Sequence, residues 1–270
     1  MFTPPSGKVV EEPPSLLNHR PSVVTEEEKI AVKNAVQLAA WADEKSAEKS
    51  VEDVLKRAEK TKVFLIEKSM AAAIGAGLPV SDPKGCMVVD VGGGSCEVTI
   101  ISLAGIVDSY SARGVGGEDM DNAIMTYIRD RYNLLIGERV EEWIKMKIGS
   151  AYPKGGTLKI NGRNAVTGMR KSITVTSEEI RDALKESVNK IIEAVMATLN
   201  RCAPELAADI GESGVVLTGG GALLPGLNRR LADATGLPVR VADDPAHATI
   251  RGVAVVLDEL ELLEKHTSQK

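Results

Sequence analysis

Aromatic side chains are nearly absent: two tryptophans, four tyrosines and two phenylalanines make up 3% of the 270 residues. So little ring surface leaves few platforms on which single-stranded bases could stack. Positive charge is not in surplus either. The net charge is −5, so nothing is available to displace counterions from a phosphate backbone, and no nucleic-acid partner is expected. Cysteine is scarce. Cys86, Cys96 and Cys202 form an odd, scattered trio that matches neither a disulfide framework nor a zinc spacing, and a reducing cytoplasm is the expected setting. His19, His247 and His266 lie too far apart along the chain to suggest a metal cluster. The opening MFTPPSGKVVEEPPS has neither a basic n-region nor an apolar h-region, so no signal peptide is expected. No apolar run approaches the ~20 residues of a membrane span.

What is present is ordinary in bulk: 43% hydrophobic and 26% charged residues, with length enough for one large or two smaller domains. Residues 1–23 are rich in proline and read as an irregular or extended arm with a short strand candidate near Val9. Thr25 with Glu28 is a capping box, followed by Val32, Val36, Ala39 and Ala40 on one helical face. A second helical pattern runs through Val51, Val54, Leu55 and Ala58. The charged ADEKSAEKS between them reads equally as loop or as solvated helix. VFLIE, 63–67, is a short buried-strand candidate, and the small apolar run from Ser69 to Gly77 predicts a tightly packed helix ending at its glycines.

The centre of the chain is MVVDVGGGSCEVTIISLAG, from Met87 to Gly105. Two apolar runs flank Gly92-Gly93-Gly94-Ser95, which predicts a hairpin with a glycine turn. Such a turn lets backbone N–H groups approach phosphate oxygens, with Asp90 placed to hold a hydrated Mg²⁺ and the Ser95 hydroxyl to touch phosphate or water. It is equally an ordinary tight hairpin with an acid beside it. Beyond it, a helix from Gly116-Gly117 carries Ile124, Ile128 and Tyr132 inward, and a second places Val140, Ile144 and Ile148 on an i+4 stripe. Residues 155–175 read as short strands around a turn at Asn161-Gly162. Thr176 with Glu179 is another capping box, opening a long amphipathic helix through Ile180, Leu184, Val188, Ile191, Val195 and Leu199. VVLTGGG, 215–221, is a strand ending in glycines, followed by a helix from about Leu223. VRVA, 239–242, is a strand, and a helix from about Pro245 into Glu264 closes the pattern.

Two apolar strands thus end in triple glycine, Gly92–Gly94 and Gly219–Gly221, in a chain that alternates strands with helices. That combination predicts an α/β protein holding a nucleotide between two glycine edges. There is no G-x-G-x-x-G opening a helix and no Walker A motif, which argues against a dehydrogenase or a P-loop enzyme.

On these motifs the chain resembles the actin, Hsp70 and sugar-kinase superfamily, and within it the bacterial actin homologues of the MreB family. The match runs from Val63 to about Leu257. VFLIEKSMAAAIGAGLPV resembles the family's first connecting segment, and MVVDVGGGSCEVTIISLAG its second phosphate loop. GVGGEDMDNAI and IGERVEEWIKMKIGSAYP resemble stretches lining its nucleotide cleft. VVLTGGGALLPGLNRRL resembles its adenosine motif, and DDPAHATIRGVAVVL its second connecting helix. The resemblance implies an actin-like (ribonuclease H-like) fold, ATP or ADP with Mg²⁺ as cofactors, and a role for each matching residue. Asp90 would hold the metal through water, and Gly92, Gly93, Gly94 and Ser95 would face the phosphates. Glu142 and Lys145 would reach ribose and adenine. Gly219, Gly220, Gly221 and Ala222 would back the adenosine. Glu67 would orient the attacking water. On residue type alone, Glu67 is an exposed strand-end carboxylate and Glu142/Lys145 a solvated i,i+3 helix pair.

The departures are specific. No D-x-G-T, the family's first phosphate loop, occurs in residues 1–62, where GKVVEEPPSLL resembles the family's third strand. Lys68-Ser69 replaces an acid and a proline, Lys147 another acid, and Ser95-Cys96 a pair of threonines. The implied organisation is an abridged domain I in residues 1–84 and a domain II in residues 85–245, with a smaller subdomain inserted at about 114–175. Residues 246–270 form a closing helix that returns to domain I. The implied function is a cytoplasmic, cell-shape-determining cytoskeletal protein. It would bind adenine nucleotide, form or join filaments of its own kind or of full-length relatives beneath the membrane, and meet wall-synthesis proteins there. The alternatives are a regulatory or scaffold paralogue that binds filaments without hydrolysing ATP, and a truncated gene product. With the first phosphate loop missing, hydrolysis is left open.

Overall fold

The computed structural model describes residues 65–137 and 139–267, the side chains beyond residue 259 excepted. The arm, the Thr25 capping box and the two helical patterns of residues 24–60 lie outside the described residues. Within them, Leu65–Glu67 form no strand, and Leu65 and Glu67 are exposed, which corrects that part of the VFLIE reading.

β1 (Cys86–Val91) is buried along its whole length. β2 (Ser95–Ser102) returns antiparallel beside it, pairing Val91 with Cys96 and Asp90 with Glu97. β3 (Gly105–Arg113) extends the meander as an edge strand that the sequence pattern does not announce, because it is only half buried and largely polar. On the other side of β1, β7 (Val215–Thr218) and β8 (Val239–Val241) run parallel, giving the order β3-β2-β1-β7-β8.

A central strand covered on both faces reads as a continuous apolar run, and CMVVDV does. Met87, Val89 and Val91 enter the main core, while Cys86 and Val88 enter a second core with Ala73 and Ile101. Ala73 belongs to α1 (Lys68–Gly75), whose small residues Ser69, Ala71 and Ala72 are also buried. Asp90 follows Val88 by two residues and so shares the α1 face of the sheet.

A second sheet of three strands, β4 (Leu134–Leu135), β5 (Thr157–Asn164) and β6 (Arg170–Thr176), packs against the helices that follow the first meander. Those helices are α2 (Gly117–Tyr132) and α3 (Val140–Ile148), and they bury Ile124, Ile128, Ile144 and Ile148 as their periodicity predicts. The turn expected at Asn161-Gly162 is not there. Gly162 lies inside β5, where a Cβ would stand 2.3 Å from the Leu135 carbonyl oxygen, so the glycine serves close strand approach. The chain reverses instead at residues 165–168, where Asn164 Oδ1 accepts from the Val166 and Thr167 amides.

α4 (Ser177–Arg201) begins on the expected capping box. The Glu179 amide donates to Thr176 Oγ1, and the Thr176 amide donates to Glu179 Oε2. α5 (Pro204–Ser213), unforeseen from its pattern, starts with proline in its first turn. After β7 a 3-10 turn, Gly220–Leu223, precedes α6 (Leu227–Thr235), so that helix begins at Leu227 rather than Leu223. Pro225 and Gly226, the latter at φ 77°, separate the two. A 3-10 turn, Pro245–His247, leads likewise into α7 (Ala248–Thr267).

Candidate functional site

Because β1 and β7 are parallel neighbours, with Asp90 beside Thr218, they deliver both triple-glycine loops to one edge of the sheet. Strand ends at such an edge are where open α/β sheets bind ligands. The loops are in contact. A Cβ on Gly219 would stand 2.3 Å from the Val91 carbonyl oxygen and 2.6 Å from Asp90 Oδ1, and one on Gly221 would stand 2.3 Å from Val91 Cγ1. Gly220 faces open space.

The first glycine loop is a closed turn, with the Gly92 amide donating to the Ser95 carbonyl at 2.9 Å. α2 docks on it end-on. Its Gly117 and Glu118 amides donate to the Gly92 and Gly93 carbonyls, each at 2.9 Å, so amides of a helix start find partners in the turn. Gly116 allows this approach, since a Cβ there would be 2.1 Å from the Gly93 oxygen.

Between the two loops opens a cleft of about 560 Å³. Gly92 and Gly93 form one side, and Gly220 and Gly221 the other. Gly117, Glu118 and Asp121 of α2, with Glu142, Lys145 and Met146 of α3, complete the wall. Leu223, Leu224 and Pro225 add an apolar lip, on which Leu223 is 60% exposed, and Met146 on the wall is exposed as well.

Six of the residues singled out from the sequence therefore meet in one cavity: Gly92, Gly93, Glu142, Lys145, Gly220 and Gly221. Gly94 and Ser95 belong to the same turn, and Gly219 and buried Ala222 to the loop behind, without lining the cavity. Glu67 is exposed as the residue preceding α1 and does not line it either. Glu142 and Lys145 do not act as a surface i,i+3 pair. Lys145 Nζ reaches across to α2, donating to the Gly117 carbonyl and to Asp121 Oδ2, both at 2.8 Å.

That ion pair is mostly buried, with side chains 16% and 17% exposed. Burial pushes the Asp121 carboxyl up, against the pull of Lys145. Asp121 Oδ1 is buried with no hydrogen-bond partner among the described residues. Asp121, Glu118, Met146 and Leu223 were not named from the sequence. The signal for Asp121 was its position four residues after Gly117, on the same face of α2.

Asp90 lies beside the glycine turn and is 2% exposed. Thr218 Oγ1 donates to its Oδ1 at 3.2 Å. Its Oδ2 faces the Lys68 ammonium at 2.6 Å. Burial lowers the Lys68 pKa, but Asp90, with help from Glu97, outweighs it, and the net direction is upward. Glu97, opposite Asp90 on β2, is pushed up chiefly by burial. Cys96 is buried and its thiol pushed up to about 12, mainly by desolvation, so it stays a neutral core thiol near pH 7. A divalent ion at Asp90 does not fit this arrangement. Its second carboxylate oxygen already faces the Lys68 ammonium, which an ion ligated there would have to displace.

A second cavity, about 450 Å³, opens between α4 and α6 beside Tyr152. Arg181, Lys185 and Arg230 line it with Asp182 and Asp233, and it shares no lining residue with the glycine cleft.

Comparison with known proteins gives a consistent result. Residues 12–265 match the family model described as MreB/Mbl protein. The cell shape-determining protein MreB of Escherichia coli K12 is 52% identical over 202 residues, covering 74% of this chain and 58% of that protein. Mbl of Bacillus subtilis is 41% identical over 220 residues, covering 81% of this chain and 66% of that protein. The chain thus spans little more than half the length of the E. coli protein. Among solved structures, MreB 5 of Spiroplasma citri bound to AMPPNP superposes with a TM-score of 0.78 at 32% identity, covering 91% of this chain and 68% of that one. The MamK double helical filament, at TM-score 0.64 and 19% identity, has the same fold.

Proposed function

This chain belongs to the MreB/Mbl family, with its actin-like fold, and on that premise we propose that it is a cell-shape-determining cytoskeletal protein whose glycine cleft binds an adenine nucleotide. The observation that carries the reading is the convergence of two triple-glycine loops on one cleft, with Glu142 and Lys145 in its wall. Gly92–Gly94 would meet the phosphates through a backbone free of side-chain bulk, with the Ser95 hydroxyl at the end of the turn. Glu142 and Lys145 offer an acceptor and a donor to ribose hydroxyls and adenine edges. Met146, Leu223 and Pro225 supply the apolar slot that a flat base needs. Glu67 remains the proposed water-orienting residue, and its place outside the cleft wall favours weak turnover. Phosphoryl transfer depends on positioning and electrostatics, so a water-orienting carboxylate held outside the cleft wall should leave turnover slow.

We take the five-stranded sheet with its helices as domain II, residues 85–245, and the three-stranded sheet region as its smaller inserted subdomain, about 114–175. Residues 1–84 and 246–270 would belong to domain I. Filaments of this chain, or of full-length relatives that it joins, are the proposed assemblies, with wall-synthesis proteins as partners at the inner membrane face. No helix among the described residues is long and apolar enough to cross a membrane. The reading of a paralogue that binds nucleotide and filaments without hydrolysis is favoured by the lysine on Asp90.

Calorimetric titration with ADP and ATP tests the first step. Binding with little preference between them is expected. No heat with either nucleotide would sink the reading. Sedimentation with and without a full-length relative, alongside phosphate release, tests assembly and turnover. Ordered filaments of this chain alone, with turnover lost in Glu67→Ala, would replace the non-hydrolysing form with an ordinary filament ATPase.

A further inference from the structure

We propose that Lys68 is a tethered cation. Its ammonium takes the place of a divalent ion at Asp90, and the chain holds its nucleotide without a metal. This rests on the nucleotide reading of the glycine cleft and specifies the charge that neutralises the phosphates there.

Four observations carry it. Asp90 is a carboxylate closed off from water at the end of the central strand, 2% exposed, so it requires a fixed countercharge. Lys68 supplies one at 2.6 Å, from the first residue of α1. α1 is anchored by four buried small side chains, Ser69, Ala71, Ala72 and Ala73, so the lysine's origin is held even though its own stem is flexible. The ammonium also lies against the turn itself: a Cβ on Gly92 would be 3.3 Å from Nζ. Gly92 lines the cleft.

The lysine side chain is 46% exposed. An ammonium has three donors, and one ion pair leaves others for a phosphate at the turn. Lysine serves phosphate sites as a compact point charge. A hydrated Mg²⁺ requires a full octahedral shell of oxygens. At Asp90 it would have to displace the ammonium or lie beside a like charge. Glu97, across β2, is the neighbouring acid, and it adds to the demand for positive charge at this spot.

Fluorescent ADP titrated into the full chain, in excess magnesium and again in EDTA, tests the proposal. The parent is expected to bind within about twofold under the two conditions, where loss of a needed metal would weaken it on the order of tenfold or more. Lys68→Met should weaken binding under both conditions, and Lys68→Glu should make binding depend on magnesium. A parent that loses binding in EDTA, while Lys68→Met binds like the parent, overturns the tethered cation and leaves the nucleotide reading standing. Thermal denaturation without nucleotide supplies the second measurement. Lys68→Met should lower the melting temperature by stranding a buried charge, and adding Asp90→Asn should restore most of it. Strictly additive shifts would mean that the ammonium does not sit on Asp90 in solution, which also overturns the proposal. Coupled shifts with no nucleotide bound under either condition overturn the nucleotide reading, and the metal-replacing role falls with it.

Discussion

Gly252 lies directly against the carbonyl oxygen of Ala71: a Cβ at position 252 would stand 1.8 Å from it. Gly75 repeats the contact from the other helix, with its own Cβ position 1.8 Å from the Ala248 oxygen. α1 and α7 therefore touch backbone to backbone, and α1 carries Lys68 to Asp90. Gly252→Val cannot be accommodated by rotating a side chain, because both obstacles are main chain. It should destabilise the protein by about 1–3 kcal/mol or more. Chemical denaturation would read this as a lower midpoint, and an unchanged midpoint would refute the contact.

Tyr132 and Glu179 predict an alkaline weakness. The Tyr132 hydroxyl donates to Glu179 Oε1, while Glu179 also serves the α4 capping box. The hydrogen bond, with burial, raises the phenol from 10.0 to about 12. A folded pKa above the unfolded one means that the folded state holds its proton longer. The contribution is complete below pH 10 and is lost as pH rises towards about 12. Melting temperatures from pH 9 upward should fall more steeply for the parent than for Tyr132→Phe. Parallel curves would contradict the assignment.

Neighbouring glycines should respond in opposite ways. Gly221→Ala drives a methyl towards Val91 Cγ1, at 2.3 Å from the Cβ position, and should lower stability. Gly220→Ala meets nothing within 4 Å and needs no left-handed backbone, so it should fold like the parent. Its methyl would project from the cleft wall, and weaker ADP binding at unchanged melting temperature is expected. Equal losses of stability in the two variants would show that the loop is not arranged this way.

The apolar lip offers a separation of binding from folding. Leu223 is 60% exposed, so Leu223→Asp removes little core packing. It does place a carboxylate where the proposed base would lie, near Glu118, Asp121 and Glu142. ADP affinity should fall on the order of tenfold, about 1.4 kcal/mol, with the denaturation midpoint kept. Undiminished affinity would move the base elsewhere.

Local and periodic features were legible in the order of the residues. The capping box at Thr176 and Glu179, the stripes on α2, α3 and α4, and the apolar strands ending in Gly92 and Gly219 each depend on residues a few positions apart. Their physics is complete within one turn or one hairpin, and two triple-glycine strand ends were enough to suggest a single site. Tertiary structure alone decided the partners. Asn161-Gly162 has the chemistry of a hairpin turn, but Gly162 is needed where β5 presses on Leu135, so the chain reverses after Asn164. Lys145 has Glu142 in helical reach, yet a buried carboxylate on another helix, Asp121, is the stronger demand. Lys68 reads as one more surface lysine until folding sets it beside Asp90. In each case the choice is made by a buried group or a close backbone approach contributed from elsewhere in the chain, and no pattern of neighbouring residues encodes where that group will stand.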